Sequence, residues 1–464
     1  MPFPKDFVWG AATSSYQVEG ASAPDDRGRN IYDVFCNRPG AVYLNQSGTV
    51  AADHIHRYQE DVGLMRQIGL RAYRFSIAWS RVLPDGVGRV HEAGLGFYDR
   101  LVDELLGAGI EPWVTLFHWD LPLALQHRGG WFNRDIADWF GEYTRVVVDR
   151  LSDRVSRWMT LNEPQVFIRF GLGEGKIAPG LRLGLDEQVA ACHNALRAHG
   201  RATQVIRERA SKVPSVGWAL VGRTDFPATE TPADIEAARA GTVGVTTPDL
   251  WNNTWYADPA FFGTYPEDAL RLFGPACQPP IEPGDMDLIR QPLDFYGLNI
   301  YDGRMVRAGL GGKPEVVAFA DGHPQTAIRW FITPAALYWG ARFIHERYKS
   351  PIYITENGMS NIDWVMLDGR VHDPQRIDYT ARYLCELGRA IGDGVDVRGY
   401  FHWSLLDNFE WAEGYKERFG LVHVDFPTGK RTLKDSAHWY KRVIGSNGSG
   451  LRAPPPAAAE LPAC

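Results

Sequence analysis

The stretch Ile-Tyr-Ile-Thr-Glu-Asn-Gly at 352–358 is an apolar, β-prone run that stops at a polar cluster closed by glycine. A second stretch far upstream, Thr-Leu-Asn-Glu-Pro at 160–164, has the same form and is closed by proline. This form is typical of a buried strand that ends at a functional loop. Each stretch places one glutamate, Glu356 or Glu163, at the strand end. Two carboxyl groups that reach one pocket are the smallest set of catalytic groups that most enzymes use to hydrolyse a glycosidic bond.

Strand-like runs alternate with longer segments of helical periodicity along most of the chain. The runs are almost continuously apolar, as expected for parallel strands buried on both faces. They lie at 7–12, 72–76, 110–116, 157–162, 215–220, 294–299, 351–355 and 398–403. In segment 56–68 the apolar residues share one helical face. Similar segments lie at 95–106, 136–151, 187–210, 334–348, 379–391 and 433–443.

This alternation predicts a single-domain (β/α)8 TIM barrel over residues 1–445. Active sites of this fold lie at the carboxyl ends of the strands. Glu163 follows the fourth predicted strand and Glu356 the seventh, so both should lie on the catalytic face. The long gaps at 221–293 and 304–350 are predicted to hold loops that shape the pocket. Residues 446–464, rich in Gly, Ser, Pro and Ala, are predicted to be a disordered C-terminal tail.

The composition narrows the class of protein. The 464 residues are 45% hydrophobic and 23% charged, which is ordinary for a soluble globular chain. A net charge of −7 without a basic block gives no support for binding to nucleic acid or to a membrane surface. No apolar stretch approaches the roughly 18 residues of a transmembrane helix, and the N-terminus lacks a signal-peptide pattern. The five scattered cysteines argue against a disulfide framework and favour a cytoplasmic location.

The two glutamate motifs resemble the acid/base and nucleophile signatures of glycoside hydrolase family 1, the retaining β-glucosidase family. The resemblance runs from Phe-Val-Trp-Gly-Ala-Ala-Thr at 7–13 to Trp-Tyr at 439–440. Intermediate blocks are Tyr-Arg-Phe-Ser-Ile-Ala-Trp-Ser-Arg at 73–81, Leu-Phe-His-Trp-Asp-Leu-Pro at 116–122 and Trp-Ser-Leu-Leu-Asp-Asn-Phe-Glu-Trp at 403–411. Their order and spacing together make the match specific, whereas any one block alone would be weak.

The resemblance implies roles for four catalytic residues. Glu356 would attack the anomeric carbon, and Glu163 would protonate the leaving oxygen and then act as a base. Glu163 must stay protonated beside an ionised Glu356, so the like charge should raise its pKa. Arg74 matches a family arginine that would favour the anionic form of the nucleophile. Tyr301 matches a family tyrosine that hydrogen-bonds the nucleophile.

The resemblance also implies a substrate-binding set. Trp403 would pack under the sugar ring, and Trp411 would add stacking and an indole N–H. Trp330 resembles a tryptophan on the aglycone side, with a simple role in the pocket wall as the alternative. The complete predicted set is Gln17, His118, Trp119, Asn162, Asn299, Trp330, Trp403, Glu410 and Trp411.

Glu410 bears on the substrate class. It resembles the residue that contacts O4 and O6 of unmodified sugars, and an acidic side chain there would repel a phosphate. We therefore expect small-molecule neutral β-glycosides: cellobiose-type disaccharides and aryl β-glucosides, with galactosides and fucosides also open and transglycosylation at high sugar. Glu410 opposes a phosphoglycosidase. The presence of both glutamates opposes an inactive glycan-binding relative, and Glu163 opposes a thioglucosidase.

Several features leave alternatives open. Ile300, Leu172 and Ile177 stand where the family frequently has Tyr, Tyr and His, which predicts a more apolar outer pocket and leaves the aglycone preference open. The glycine-rich stretch at 171–177 lacks the spacing of a phosphate loop. His54 and His56 do not have the spacing of a metal site. No cofactor and no metal are expected, and a homo-oligomer stays open.

Overall fold

The computed structural model describes residues 3–20 and 27–451, and eight parallel strands close into a barrel. The strands are β1 (Val8–Ala12), β2 (Ala72–Ser76), β3 (Glu111–Phe117), β4 (Arg157–Asn162), β5 (Ser215–Leu220), β6 (Tyr296–Asn299), β7 (Ile352–Asn357) and β8 (Val397–Trp403). Each strand pairs with the next one in the chain, and β8 pairs with β1. The predicted single-domain (β/α)8 barrel is confirmed, and each strand begins and ends within two residues of its predicted bounds.

Seven long helices surround the barrel at the predicted places. They span His54–Ile68, Glu92–Gly107, Ile136–Leu151, Leu185–Arg209, Ala335–Tyr348, Pro374–Gly392 and Asp435–Gly445. The largest difference from the prediction is at the sixth helix, which begins at Pro374 rather than at 379. A proline fits the first helical turn because its missing N–H has no partner there in any helix.

The gap at 221–293 differs from the prediction, because it holds helices rather than loops alone. They span Pro232–Val243, Thr254–Phe262, Glu267–Phe273 and Asp285–Ile289. The strand Asp225–Pro227 pairs with Arg304–Ala308, which pairs in turn with Pro314–Val316 in the second gap. Arg304 fixes this sheet through two hydrogen bonds to Asp225, at 2.8 and 2.7 Å. Such short elements carry too few apolar repeats for periodicity to reveal them.

The remaining elements are short and lie in the connections. The α-helical turns span Ser15–Val18, Ile31–Phe35, Trp79–Val82, Leu123–His127 and Pro164–Val166. A π-helical segment spans Phe167–Gly173, and 3-10 turns span Tyr43–Asn45, Gly130–Phe132, Pro275–Cys277, Leu310–Gly312 and Trp411–Glu413. An antiparallel pair, Val422–Asp425 with Lys430–Leu433, follows β8.

The barrel interior below the site is a packed aromatic core. Trp113 lies at its centre, with ring centroids 5.6, 4.8 and 5.0 Å from those of Phe295, Tyr353 and Phe401. Small residues from other strands make room for these rings; they are Ala12, Ala72 and Ala219. The core therefore closes the barrel from below, and the catalytic face is a pocket rather than a channel.

The last helix ends at Gly445, and the structure also describes the first six residues of the predicted C-terminal tail. Residues 446–451 form turns that contact the N-terminal segment. Asn447 accepts a hydrogen bond of 2.9 Å from the indole of Trp9 and donates one of 2.8 Å to the carbonyl of Phe3. The rest of the predicted disordered tail, 452–464, lies outside the described residues. Within the part of the chain that the structure describes, no helix is both long and apolar enough to cross a membrane.

Candidate active site

A cavity of about 640 Å³ opens at the carboxyl ends of the barrel strands. Ten of the thirteen predicted site residues line it: His118, Trp119, Glu163, Asn299, Tyr301, Trp330, Glu356, Trp403, Glu410 and Trp411. The other three, Arg74, Asn162 and Gln17, lie directly behind this lining and hydrogen-bond to it. Tertiary folding thus brings the whole predicted set together.

Glu356, at the end of β7, is held by two donors. Nη1 of Arg74 lies 2.6 Å from Oε1 of Glu356, and the hydroxyl of Tyr301 donates to Oε2 at 2.7 Å. Both donors stabilise the carboxylate form, because a hydrogen bond to a charged acceptor is stronger than one to a neutral acceptor. Burial, followed by the charge of Glu356, raises the pKa of Tyr301 well above its ordinary value, so its phenol keeps the donated proton.

Arg74 is fully buried at the middle of this arrangement. Its guanidinium also donates to Thr115 at 3.2 Å, to the carbonyl of Thr355 at 3.0 Å and to Asn162 at 2.6 Å. Three different strands, β3, β7 and β4, supply these acceptors, so the barrel fixes the plane of the guanidinium before any substrate binds. A rigid charge beside Glu356 can stabilise the nucleophile without reorganisation during the reaction.

Glu163 follows β4 in a left-handed backbone conformation, with φ of 44°. Its amide donates to the carbonyl of Ala219 at 2.7 Å, which ties the turn to β5. Burial, followed by the negative charge of Glu356, raises the pKa of Glu163 well above its ordinary value. This is the direction that a general acid beside an anionic nucleophile requires.

Asn299 contacts Glu163 rather than presenting a free amide to the pocket. Its Nδ2 donates to Oε1 of Glu163 at 2.7 Å and to Asn162 at 3.3 Å, and its Oδ1 accepts from Thr355 at 2.6 Å. Both amide protons are therefore used by neighbouring side chains. The predicted role of Asn299 in substrate binding stays a prediction, whereas its contact with Glu163 shows that it orients that carboxyl.

His118 is neutral and accepts a hydrogen bond. Asn162 Oδ1 accepts from Arg74, so its Nδ2 is the amide donor, and it lies 3.1 Å from Nε2 of His118. The imidazole proton is then on Nδ1. Burial, followed by the charge of Arg74, lowers the pKa of His118 well below its ordinary value. An uncharged imidazole N–H suits a neutral hydroxyl as its acceptor.

Glu410 lies beside Gln17, whose Nε2 donates to it at 3.2 Å. The same amide also donates to the carbonyl of Phe409 at 3.0 Å and to Asn408 at 3.1 Å. Burial, followed by the charge of Glu356, raises the pKa of Glu410 to about 8. The carboxyl is then mostly protonated at neutral pH, so it repels a phosphate less than the ionised side chain expected from the sequence. A protonated carboxyl can still donate to and accept from sugar hydroxyls.

Aromatic side chains form two walls. On one side, Trp403 stacks with His118, with centroids 5.7 Å apart, and Trp411 packs against Trp119 at 4.6 Å. The indole of Trp119 also donates to the carbonyl of Asn162 at 3.0 Å. On the other side, Trp330 lies 5.1 Å from Tyr301 and 6.1 Å from Phe419. Flat faces of this kind suit the C–H faces of a sugar or an aryl group.

Comparison with known proteins agrees with this geometry. The model of the family described as "Glycosyl hydrolase family 1" matches residues 1–449. The chain belongs to glycosyl hydrolase family 1. It is 45% identical over 449 residues to Beta-glucosidase A of Thermotoga maritima, covering 96% of this chain and 98% of that one. It is 45% identical over 450 residues to the 1,4-beta-D-glucan glucohydrolase of Thermotoga neapolitana, covering 96% and 99%.

The fold of this family 1 enzyme is similar to a solved relative throughout its length. Beta-glucosidase from Thermotoga maritima in complex with glucoimidazole has a TM-score of 0.88 at 45% identity, covering 96% of this chain and 99% of that one. Further relatives named Beta-glucosidase come from Acetivibrio thermocellus and an Agrobacterium species, each 42% identical. The enzyme is accordingly a β-glucosidase (EC 3.2.1.21).

The outer pocket of the enzyme is less uniformly apolar than the sequence predicts. Ile177 and Ile300 line it as expected, whereas Leu172 does not. The apolar part of the lining also includes Phe170, Val221, Trp251 and Ile328. Lys176, Arg223 and Arg304 line the cavity together with these apolar residues and add positive groups. We call this part of the lining the rim. The rim can therefore contact both apolar and polar parts of an aglycone.

Besides these lining residues, sequence reasoning missed three residues that hold members of the predicted set in place. Thr355 contacts Asn299 and Arg74, Thr115 contacts Arg74, and Phe419 packs against Trp330. Thr355 precedes Glu356 within its motif, so adjacency could have indicated it. Thr115 lies inside a strand and Phe419 lies in a loop after β8, and neither has a local sequence signal.

Proposed function

We propose that the enzyme is a retaining β-glucosidase that releases terminal non-reducing β-D-glucosyl residues from neutral glycosides by double displacement. The observation that carries this proposal is that the surroundings of two carboxyls in one pocket favour opposite protonation states. Arg74 and Tyr301 hold Glu356 as a carboxylate, whereas burial and the charge of Glu356 keep the proton on Glu163. One group is ready to attack and the other to protonate.

In the first step, a carboxylate oxygen of Glu356 forms a bond to the anomeric carbon. Glu163 donates its proton to the glycosidic oxygen as the bond to the leaving group breaks. The Glu356 ester that results has no negative charge. The pKa of Glu163 then falls because the like charge beside it is gone.

In the second step, Glu163 acts as the base. It takes a proton from water, whose oxygen forms a bond to the anomeric carbon as the bond to Glu356 breaks. The product keeps the β configuration, and both carboxyls return to their starting states. An alcohol in place of water gives transglycosylation, which we propose at high sugar concentration.

The proposed substrates are cellobiose-type disaccharides and aryl β-glucosides, with β-galactosides and β-fucosides as further candidates. The wall of Trp330 and Phe419 and the apolar residues of the rim support aryl and alkyl aglycones. The names of the relatives, "Beta-glucosidase A" and "1,4-beta-D-glucan glucohydrolase", support glucose as the sugar. A role in cellulose degradation, a cytoplasmic location, a homo-oligomer and the absence of cofactor, membrane and nucleic-acid partners stay predictions from the sequence.

The anomeric form of the first product tests the mechanism. Proton NMR during hydrolysis of p-nitrophenyl β-glucoside should show β-glucose before mutarotation produces the α form. Early α-glucose would mean inversion and would overturn the nucleophile assignment. As a test of substrate class, cellobiose should be hydrolysed faster than 6-phosphocellobiose. The reverse order would make the enzyme a phosphoglycosidase. The raised pKa of Glu410 would then explain why the carboxyl does not repel the phosphate.

A further inference from the structure

A group of fully buried charges lies next to the sugar-binding segment but outside the pocket. We call it the ion cluster; its members are Asp363, Asp373, Arg376, Asp407 and Lys434, each with a side chain that is 0% exposed or nearly so. Arg418 joins at the edge through Asp407, at 2.7 Å. None of these residues lines the active-site cavity.

Lys434 connects the segment that follows Glu356 to the segment that carries Glu410. Its Nζ lies 2.6 Å from Oδ2 of Asp363 and 2.7 Å from Oδ1 of Asp407. Asp363 belongs to the segment that follows Glu356 after β7. Asp407 belongs to residues 404–411, which follow β8, and which we call the glycone loop. One ammonium group therefore joins the segment after the nucleophile to the glycone loop, which carries Glu410.

The glycone loop is held by backbone hydrogen bonds as well as by charges: the amide of Leu405 donates to the carbonyl of Ala12 at 3.1 Å and that of Glu410 to Gly414 at 2.7 Å. Asp407 also accepts from the amide of Gly420 at 2.9 Å and from Arg418. The backbone amide of Phe409 donates to the carbonyl of Gln17 at 3.1 Å. The loop therefore carries the Glu410 carboxyl three residues beyond a buried ion pair. A displacement of Asp407 would be transmitted to Glu410 over that short distance.

The burial of so many charges calls for a role besides stability. Buried ion pairs are costly to desolvate, and well-packed apolar residues often stabilise a fold as much or more. A buried network of short, directional hydrogen bonds, in contrast, holds its members in one arrangement. Lys434 cannot follow Asp407 away from its place without leaving Asp363. The ion pair therefore links the two segments directly, beyond the point where their strands pair.

We propose that Lys434 is a positioning residue: by bridging Asp363 and Asp407, it fixes the glycone loop relative to the nucleophile strand and thereby sets how strongly Glu410 recognises the sugar's C6 hydroxymethyl group. This rests on the proposed function of the pocket. The substitution Lys434→Met leaves two carboxylates facing each other without the bridging charge. Asp363 keeps Arg376 and Asp407 keeps Arg418, so each still has one cationic partner and the variant can fold.

The test compares two substrates that differ only at C6. p-Nitrophenyl β-glucoside carries the hydroxymethyl group, and p-nitrophenyl β-xyloside lacks it. For the Lys434→Met variant, the ratio of kcat/KM on glucoside to kcat/KM on xyloside should fall about tenfold, the size expected for one weakened hydrogen bond to a polar partner. Titration with a 2-deoxy-2-fluoro-β-glucoside that traps the glycosyl-enzyme corrects each rate for the active fraction.

Two matched variants separate positioning from simple loss of stability. Asp373→Asn changes a buried member of the same cluster that contacts Arg376 and Ser436 rather than the glycone loop. Lys430→Met removes an exposed lysine near Lys434 in the chain. Both should keep the wild-type substrate ratio. If Asp373→Asn lowered the ratio equally, the cluster would be a general scaffold and the proposal would be wrong.

A second variant covers the case in which Lys434→Met does not fold. Asp407→Asn keeps the shape of the side chain and an acceptor for Gly420, and it should lower the same ratio. Equal losses on both substrates in each variant that folds would show a merely structural role and would overturn the proposal. Failure of the wild type to hydrolyse either glycoside would instead contradict the proposed function.

Discussion

Asn299 donates a hydrogen bond of 2.7 Å to Oε1 of Glu163 across 136 residues of sequence. The donor comes from the end of β6, and the acceptor follows β4. Because this oxygen accepts an N–H, the acidic proton of Glu163 must reside on Oε2. The relationship therefore fixes which oxygen can protonate a leaving group. It also favours the ionised form of Glu163, against the effects of burial and Glu356.

The substitution Asn299→Ala should shift the pH dependence of the enzyme. Loss of the donor raises the pKa of Glu163, so the alkaline limb of kcat/KM should move to higher pH. The maximal kcat should fall roughly tenfold because the carboxyl is less well oriented. Profiles of kcat and of kcat/KM against pH on p-nitrophenyl β-glucoside measure the two effects. Asn37→Ala, at an exposed position, is the control. A limb that moved to lower pH would contradict the assignment.

The substitution Glu356→Gln should lower the pKa of Glu163. The charge of Glu356 is the second cause of the raised value, after burial, so the pKa should fall but stay above that of an exposed glutamate. Carbon NMR of glutamate labelled at the side-chain carboxyl can follow this titration. An unchanged pKa would mean that the charge of Glu356 does not contribute to it. Formation of the Glu356 ester would then not lower the pKa of Glu163 before the second step.

The substitution Glu356→Gly should lower kcat for hydrolysis of aryl β-glucosides by several orders of magnitude, because no group remains to form the covalent intermediate. Added azide can occupy the space of the missing carboxylate and attack from the same face. The expected product is the α-glucosyl azide, identified by its anomeric proton coupling. Formation of the β-azide would place the nucleophile elsewhere.

The substitution Glu163→Ala should affect substrates according to their leaving group. Cellobiose needs protonation of its leaving oxygen, so kcat/KM should fall by about 10²–10⁴-fold. 2,4-Dinitrophenyl β-glucoside needs little protonation, and formation of its glycosyl-enzyme should be nearly unchanged. Pre-steady-state release of dinitrophenol measures that step alone. Equal losses on both substrates would argue against a general-acid role.

Asp407 should contribute to the acid sensitivity of the fold. Burial opposes its ionisation, but Lys434 and Arg418 outweigh this and lower its pKa to about 2. Because the folded pKa lies below the unfolded value, its stabilisation is present above about pH 4 and is lost as the pH falls towards 2. The loss should be about 2 kcal/mol of unfolding free energy. Urea unfolding across this range should show a shallower pH dependence in Asp407→Asn.

Much of the fold could be predicted from local patterns of apolar residues in the sequence. The run at 352–358 and its counterparts are apolar on both faces, and only strands covered by helices on one side and a packed core on the other satisfy that pattern. The positions of Glu163 and Glu356 at strand ends then followed from the geometry of the barrel. The helices of 221–293 did not follow, because short elements held by contacts such as Arg304 with Asp225 lack a periodic signal of their own.

By itself, the sequence determined the barrel, the strand ends that carry the two glutamates and, through its motifs, the family. These depend on residue types at fixed spacing, which the chain displays directly. Only the tertiary structure decided which groups meet: Asn299 with Glu163, Gln17 with Glu410, and Lys434 with Asp363 and Asp407. It also decided the protonation of Glu163 and Glu410. Burial and the distance between charges set those pKa values, and both arise only when remote segments fold against one another.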